Sequence, residues 1–272
     1  MSIPQKIHYC WLSKEKMAAN YIKCIDSWKR VMPDYELVLW DSNKFDLDSV
    51  PFVKEAVSIK KWAFAADYIR MHAVYTEGGI YLDSDVLVLK KFDEFLRHDF
   101  FTSIEAEKRD DLHQYENWTN DLNDIKVVNG CGLQAGIFGG VKGHPYLKDV
   151  MAWYENNRII LPDGTPRDLS RIKCPDVMAA VAQKYGFKYK NGEQKLADNM
   201  MIFDTKVFAH TIDDAAKGVY AIHWGEVGWS PPQRRLERKL RRSWLGRLLR
   251  GKKQVPALDE VIANGFLDGV RD

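Results

Sequence analysis

The sequence predicts an α/β domain built on a parallel sheet, and two observations carry that expectation. An apolar extended segment, a helical pattern and a second apolar extended segment follow one another before residue 41. Later, a strong helical pattern stops at Gly78-Gly79 directly in front of the short apolar segment Ile80-Tyr81-Leu82. Strand, helix, strand at this spacing is the unit from which parallel sheets are made, because two parallel strands need a crossover between them. A chain of 272 residues with 46% hydrophobic and 29% charged residues is able to bury a sizeable core around such a sheet.

In chain order, Ile3 to Leu12 alternates loosely and is rich in β-formers, which predicts the first strand. A helical pattern runs from about Glu15 to Val31 and ends before Pro33. Tyr35 to Trp40, bounded by Pro33-Asp34 and Asp41-Ser42-Asn43, predicts a second buried strand. The next helix spans about Lys60 to Tyr75, with Gly78-Gly79 as its stop and Ile80 to Leu82 as the following strand. Val86 to Leu89 continues extended. The pattern then loosens, and the acidic, aromatic stretch 105–124 reads as a loop or insertion. Ile125 to Val128 and Ala135 to Val141 predict strands around a glycine-rich turn. Pro145 opens a helix through about Tyr154, and Pro175 and Gly186 bracket another over Asp176 to Tyr185. Val207 to His210 and Val219 to His223 are short late strands. With no repeat or low-complexity linker before residue 231, the expectation is one catalytic-sized domain, 1–230, followed by an appendage, 231–272.

Composition excludes several classes. No apolar run approaches the roughly 18 residues of a membrane span, and Met1 to Lys16 lacks the apolar stretch of a signal peptide, which predicts a cytoplasmic chain. Cys10, Cys24, Cys131 and Cys174 lie far apart with no C-x-x-C pair, so neither a zinc knuckle nor a disulfide framework is expected. The formal net charge of +2 hides an asymmetry: residues 231–253 carry ten Lys and Arg against the single acid Glu237, a local +9 that leaves −7 for the remainder. In the same segment Leu236, Leu240, Trp244 and Leu248 recur every four residues, which predicts an interfacial amphipathic helix drawn to anionic headgroups. A basic helix packed on the domain, a solvated end and nucleic-acid binding are the competing readings of that segment.

The sharpest chemical signal is Asp83-Ser84-Asp85 after the apolar strand. On an extended chain alternate residues share a face, so two carboxylates one residue apart are expected to converge on a cation. Hard oxygen ligands suit Mg²⁺ or Mn²⁺, and an ion held by only one or two carboxylates completes its shell with phosphates. On the preceding helix, Trp62, Ala66, Ile69 and Ala73 form a core face, while Asp67 and Arg70, three apart, share another face that can border the same cleft. An acid for sugar hydroxyls beside an arginine for hydroxyl or phosphate oxygens suits a nucleotide-sugar donor.

Ile7-His8-Tyr9-Cys10-Trp11, Ala65-Ala66-Asp67-Tyr68-Ile69-Arg70, Gly78 to Asp85, Gly143-His144-Pro145 and Ala221-Ile222-His223-Trp224 recur in order over residues 3–230. Together they resemble the bacterial capsule and O-antigen enzymes of glycosyltransferase family 32, and more distantly the catalytic domain of the large clostridial glucosylating toxins. The resemblance implies a GT-A fold, a Mn²⁺ or Mg²⁺ ion, and transfer of a hexose or N-acetylhexosamine from a nucleoside-diphosphate sugar, UDP by family habit, with retention at the anomeric carbon. It implies that Trp11 stacks on the base, that Asp67 and Arg70 hold the donor sugar, that Asp83 contacts ribose or metal and Asp85 the metal, and that His223 is a late metal ligand. Tyr81 and Ser84 join the donor-binding set with the motif, Trp229 takes the place of the aromatic that closes over the leaving group, and Asp83, Asp85 and Arg70 form the catalytic set. Gly228 stands where a serine usually precedes that tryptophan, so one hydrogen bond of the pattern is absent from the sequence. The acceptor implied is a saccharide linked to undecaprenyl diphosphate, which places the chain on the inner face of the cell membrane through 231–253, with no nucleic-acid partner.

Asn129 to Gly136 fits the G-x-G-x-x-A dinucleotide fingerprint, but that motif needs a helix to start there and Gly136 to Gly140 prevents one. The turn reads instead as a loop that lets backbone approach the donor, with Asn129 and Gln134 as contacts, or as a plain tight connection. Two other functions stay open at this point. An apolar strand leading into Asp83-Ser84-Asp85 also resembles the nucleophile motif of haloacid-dehalogenase-like phosphohydrolases, with Asp83 as nucleophile, Asp85 as acid/base and Lys206 and Asp213-Asp214 as later motifs. The third reading is a non-catalytic sugar-nucleotide-binding protein.

Overall fold

The computed structural model describes residues 2–106, 117–119, 126–128, 131–168, 173–190, 192–209 and 218–224. The appendage 231–272, Asn129, Trp229 and Asp213-Asp214 lie outside the described residues. Among the described residues no helix is long and apolar enough to cross a membrane.

The parallel half is as expected. Strand β1 (Lys6–Cys10) pairs in parallel with β2 (Glu36–Trp40) on one side and with β3 (Gly79–Leu82) on the other. Helix α1 (Ala19–Val31) makes the first crossover. It begins four residues later than the pattern predicts, because the Ser13 hydroxyl accepts from the Glu15 amide (3.0 Å) and the Trp11 indole donates to the Glu15 carbonyl (3.0 Å), which holds that stretch as a loop. Two helices make the second crossover, α2 (Pro51–Ser58), which the sequence reading missed, and α3 (Trp62–Glu77).

Helix α3 has no solvent-facing polar stripe over its central turns. Ala65 to Met71 is buried without interruption, Asp67 and Arg70 included, because the helix is enclosed by the sheet, by α2 and by α4 (Pro145–Glu155). The face that carries Asp67 and Arg70 is buried, and it borders the aspartates, with Arg70 reaching Asp83. Gly78 and Gly79 end the helix at φ +70 and +123, and a Cβ at Gly79 would lie 2.9 Å from the Lys6 carbonyl. Only glycine turns the chain this sharply against β1. His8, fully buried, locks the same corner: its Nε2 donates to the Gly78 carbonyl (2.8 Å) and its Nδ1 accepts from the Trp40 indole (3.0 Å).

Beyond β3 the sheet becomes mixed. The order is β2-β1-β3-β9-β5-β8-β7-β6, with β9 (Ile137–Gly140) antiparallel to both β3 and β5 (Phe100–Ala106), and β8 (Cys131–Leu133) antiparallel to β5. Strands β6 (Asn117–Thr119) and β7 (Lys126–Val128) extend the order, and β11 (Met200–Phe203) joins β5 in parallel and pairs with β10 (Gln194–Leu196). This is the α/β architecture with a mixed sheet flanked by helices that a GT-A-type fold describes. The reading of 105–124 as loop is corrected at its start, by the last residues of β5, and at 117–119, by β6. Strand β5 escaped notice because Phe100 to Ile104 is buried on both faces, so its sequence does not alternate.

A small second sheet, β12-β13-β4, closes the domain, with β4 (Val86–Val88) antiparallel to β13 (Ala221–His223) and β12 (Phe208–Ala209) parallel to it. The core divides accordingly. One cluster joins α2, α3, α4 and α5 (Cys174–Ala182) to one face of the main sheet; the other joins α1 and the second sheet to the opposite face.

Candidate active site

Asp83 sits where β3 ends, between the parallel and the antiparallel halves of the sheet. The two aspartates converge, but not for the reason the sequence suggested. Asp83 to Val86 is a turn closed by the Val86 amide on the Asp83 carbonyl (2.9 Å), so the chain is not extended between the carboxylates. That turn carries the chain out of the main sheet into β4, where antiparallel pairing places Val86 opposite His223. The imidazole Nε2 lies 3.2 Å from Asp85 Oδ1 and 3.8 Å from Asp83 Oδ2. One ligand atom from each of Asp83, Asp85 and His223 falls within 4.8 Å of the others. Two hard carboxylate oxygens and an imidazole nitrogen, with side chains about one-fifth exposed at Asp83 and His223, fit Mn²⁺ or Mg²⁺ with positions left for substrate oxygens. Burial lowers the pKa of His223, but the Asp85 carboxylate and its hydrogen bond, then Asp83 and Glu105, outweigh it and lift the ring to about 9. In the absence of a cation a proton takes its place.

Helix α3 supplies the other side. Arg70 is buried, and its guanidinium reaches Asp67 Oδ1 through Nη2 (3.0 Å), Asp83 Oδ2 (3.4 Å) and the Ala135 carbonyl (2.9 Å) through Nη1, and the Ala66 carbonyl (3.3 Å) through Nε. Of the five N–H groups of a guanidinium, four are thereby engaged within the protein. Arg70 is first of all the cross-link that holds two carboxylates and the Ala135 backbone together. Burial pushes the Asp67 carboxyl above the usual range, against the pull of Arg70.

Gln134, Ala135 and Gly136 form the third wall. Strands β8 and β9 both face β5, yet Phe101 to Ile104 spans three residues while their partners Gly139 and Leu133 are six apart. The surplus is a bulge, a device common beside active sites. The Thr102 hydroxyl bridges it by donating within reach of the Gln134 (2.8 Å) and Ile137 (2.9 Å) carbonyls. The bulge brings Gly136 so close to the carboxylates that a Cβ there would lie 2.8 Å from Asp83 Oδ2 and 3.3 Å from His223 Cε1. The expected close backbone approach exists, and its target is the aspartate and histidine. Gln134 is wholly buried; its Oε1 accepts from the Gly136 amide (3.2 Å) and its Nε2 has no partner among the described residues.

The remaining expected positions divide. Trp11 leaves β1 at the same sheet edge as Asp83, since His8 lies opposite Tyr81 in the register; half-buried, its ring meets Tyr21 edge-on at 5.1 Å. Ser84 is half-buried in the turn. Tyr81 is 1% exposed, so its place in a donor-binding surface is corrected: it touches Asp83 and Arg70 instead. Glu105, at the end of β5, was passed over as part of a loop, although its carboxylate contributes to the field on His223. An acid closing an apolar strand was the available signal. For the phosphohydrolase reading, Lys206 is exposed, and its amide donates to Asp204 Oδ1 (2.8 Å).

Residues 18–102 match the family model of the glycosyltransferase sugar-binding region containing the DXD motif. That region holds Asp67, Arg70, Tyr81, Asp83 and Asp85 and stops short of Gln134 and His223. Among curated proteins the chain is 29% identical over 157 residues to inositol phosphoceramide mannosyltransferase 3 of Schizosaccharomyces pombe, covering 55% of this chain and 36% of that protein. It is 24% identical over 170 residues to the initiation-specific alpha-1,6-mannosyltransferase of Candida albicans, covering 55% and 42%, and 24% identical over 119 residues to subversion of eukaryotic traffic protein A of Legionella pneumophila, covering 34% and 18%. The chain thus spans less than half the length of the curated relatives it matches. Similar solved structures include the PaToxG glycosyltransferase (TM-score 0.47, 17% identity, 68% of this chain and 70% of that one) and the galactosyltransferase LgtC (TM-score 0.45, 13% identity, 95% and 99%).

Proposed function

We propose that the chain is a metal-dependent, retaining glycosyltransferase that moves a hexose or N-acetylhexosamine from a nucleoside-diphosphate sugar to a hydroxyl of a saccharide acceptor. The observation that carries the reading is the convergence of Asp83, Asp85 and His223 at the edge of the sheet, inside or beside a matched sugar-binding region. A divalent cation bound there would neutralise the charge that grows on the departing diphosphate. Asp83 and Asp85 would hold it with His223, whose bound proton must leave first. Asp67 offers a carboxylate oxygen to donor hydroxyls, Arg70 fixes that oxygen and has one N–H to spare among the described residues, and Gln134 supports the wall of the site by accepting from the Gly136 amide. Trp11 provides an aromatic face for the base at the same edge. With Asp67 tied to Arg70, front-face displacement by the acceptor hydroxyl is preferred to a double displacement.

UDP is the proposed nucleotide. Two relatives are named mannosyltransferases, so mannose belongs among the candidate sugars. The acceptor is proposed to be lipid-linked, in surface-polysaccharide synthesis at the inner face of the membrane, because residues 231–253 combine a leucine stripe with a local excess of arginine. Deleting 231–272 should abolish sedimentation with anionic liposomes; unchanged sedimentation would refute that attachment.

The activity is tested by release of the nucleoside diphosphate from a panel of UDP-sugars and GDP-mannose, with Mn²⁺ and a saccharide acceptor. Release from one donor, stopped by chelator and reduced by Asp85→Ala by several kcal/mol of transition-state stabilisation, roughly a thousandfold, is expected. Cleavage of a generic phosphomonoester without release from any donor would replace the transferase by the phosphohydrolase.

A further inference from the structure

Tyr81 is the one polar residue of β3, and every part of its side chain is used. Its neighbours Ile80 and Leu82 pack toward α1 and the second sheet, so strand alternation sends Tyr81 to the other face, toward α3. There the ring stacks on Phe138 (centroids 5.5 Å apart, planes at 27°) and lies 5.0 Å from the Arg70 guanidinium carbon. The hydroxyl donates to Asp83 Oδ1 at 2.9 Å. The two oxygens of Asp83 are therefore both set from this one side chain. Oδ1 is held directly by the hydroxyl; Oδ2 is held by Arg70, which rests on the ring and reaches it at 3.4 Å. What remains open is the edge of Oδ2 that looks toward His223 Nε2, 3.8 Å away, and Asp85.

We propose that Tyr81 is the positioning residue of the cation site: its hydroxyl fixes the rotation of the Asp83 carboxylate so that Oδ2 converges with Asp85 and His223. The inference rests on the cation site of the proposed function and adds the group that orients its first ligand. The physical cause is general. A carboxylate free to rotate must be ordered by the ion, whereas one already hydrogen-bonded through its far oxygen meets the ion in place; loss of such an outer partner typically weakens metal affinity about 10–100-fold. The ring and the hydroxyl are separable, because phenylalanine keeps the contacts with Phe138 and Arg70 and removes the bond to Asp83 together with the hydroxyl's hydrogen bond with the Cys10 thiol.

The test is Mn²⁺ binding to the full chain without nucleotide, followed by water-proton relaxation, for wild type, Tyr81→Phe, Asp83→Asn and the double variant. Tyr81→Phe is expected to weaken binding about tenfold or more with little change in melting temperature in chelator. Since Tyr81 acts through Asp83, adding Tyr81→Phe to Asp83→Asn should weaken binding no further. Wild-type affinity in Tyr81→Phe, or losses that simply add in the double variant, would overturn the proposal. Tyr81→Leu, which also removes the support of Arg70, should bind more weakly than Tyr81→Phe; equal affinity of the two would show that the ring has no part. If the wild type itself takes up no Mn²⁺, the cation site falls, and that outcome is distinct from a wild type that binds and a Tyr81→Phe that binds equally well.

Discussion

Two arms meet at the candidate site, and they are built differently. The near arm is one continuous stretch, Asp67 to Asp85, running down α3, around Gly78-Gly79 and up β3 into the turn. Its charged groups are buried or, at Asp83, about one-fifth exposed, and they are tied to one another: Arg70 to Asp67 and Asp83, Tyr81 to Asp83. The far arm is assembled from distant pieces, the bulge at Gln134 to Gly136 and His223 on the second sheet. Its groups are held by backbone pairing and face the near arm across the place where a cation fits. The comparison teaches that one arm is both scaffold and site, whereas the other can lose its function without losing its fold.

The largest effect that sharpens this contrast should come from Arg70→Ala. Removing a buried cation from two carboxylates leaves uncompensated charge, which costs about 3–5 kcal/mol in comparable buried pairs. His223→Ala removes a partly exposed group and should unfold the protein far less, while abolishing tight Mn²⁺ binding. Urea denaturation in chelator, set beside Mn²⁺ titration, reads both. Equal losses of stability in the two variants would erase the distinction between the arms.

A smaller effect separates two glycines three residues apart, Gly136 in the bulge and Gly139 in β9. A Cβ at Gly139 would stand 2.3 Å from the Phe101 ring, inside the core, while one at Gly136 would stand 2.8 Å from Asp83 Oδ2. Gly139→Ala should therefore lower stability by about 1–3 kcal/mol through overpacking and leave Mn²⁺ affinity near that of the wild type. Gly136→Ala should do the reverse, displacing the carboxylate and weakening Mn²⁺ binding with a modest change in melting temperature. Loss of cation affinity in Gly139→Ala with none in Gly136→Ala would sink the account of the bulge.

The same division decides what could be read in the sequence. The near arm was legible because its parts are neighbours: helical spacing joins Asp67 to Arg70, and the Gly-Gly stop and apolar strand point straight at Asp83. Even there the mechanism of convergence was misread, since a turn and not an extended chain brings Asp85 round. His223 was reached only through resemblance, because nothing local to residues 219–224 says that β13 will pair with β4. Tyr81 looked like a surface contact because a tyrosine in a motif does not announce which face of the strand it takes. Strand β5 and its last acid, Glu105, were hidden by burial on both faces, which removes the alternation by which strands are recognised.

His223 on the far arm and His8 on β1, which braces the near arm at the Gly78 carbonyl, are shifted in opposite directions, and this gives the smallest and most specific effect. His223, lifted to about 9 by Asp85 and Asp83 in spite of burial, is protonated in the cation-free protein. Its folded value lies above the unfolded one of about 6.5, so its contribution to stability is complete below that pH and is lost as pH rises toward 9. His8 is lowered by burial, since its Nδ1 must stay bare to accept from Trp40 while Nε2–H serves Gly78. Its contribution is complete above about 6.5 and is lost as pH falls through its lowered folded value. In chelator, the difference in melting temperature between wild type and His223→Ala should shrink from about pH 6 to about pH 9, and that between wild type and His8→Phe should shrink on acidification. Saturating Mn²⁺ should remove the alkaline loss, because the cation then replaces the proton between Asp83 and Asp85, while the acid loss at His8 should persist. A difference for His223→Ala that grows with pH would mean that the ring is neutral in the cation-free site, and the two histidines would then not differ in the sign of their response to pH.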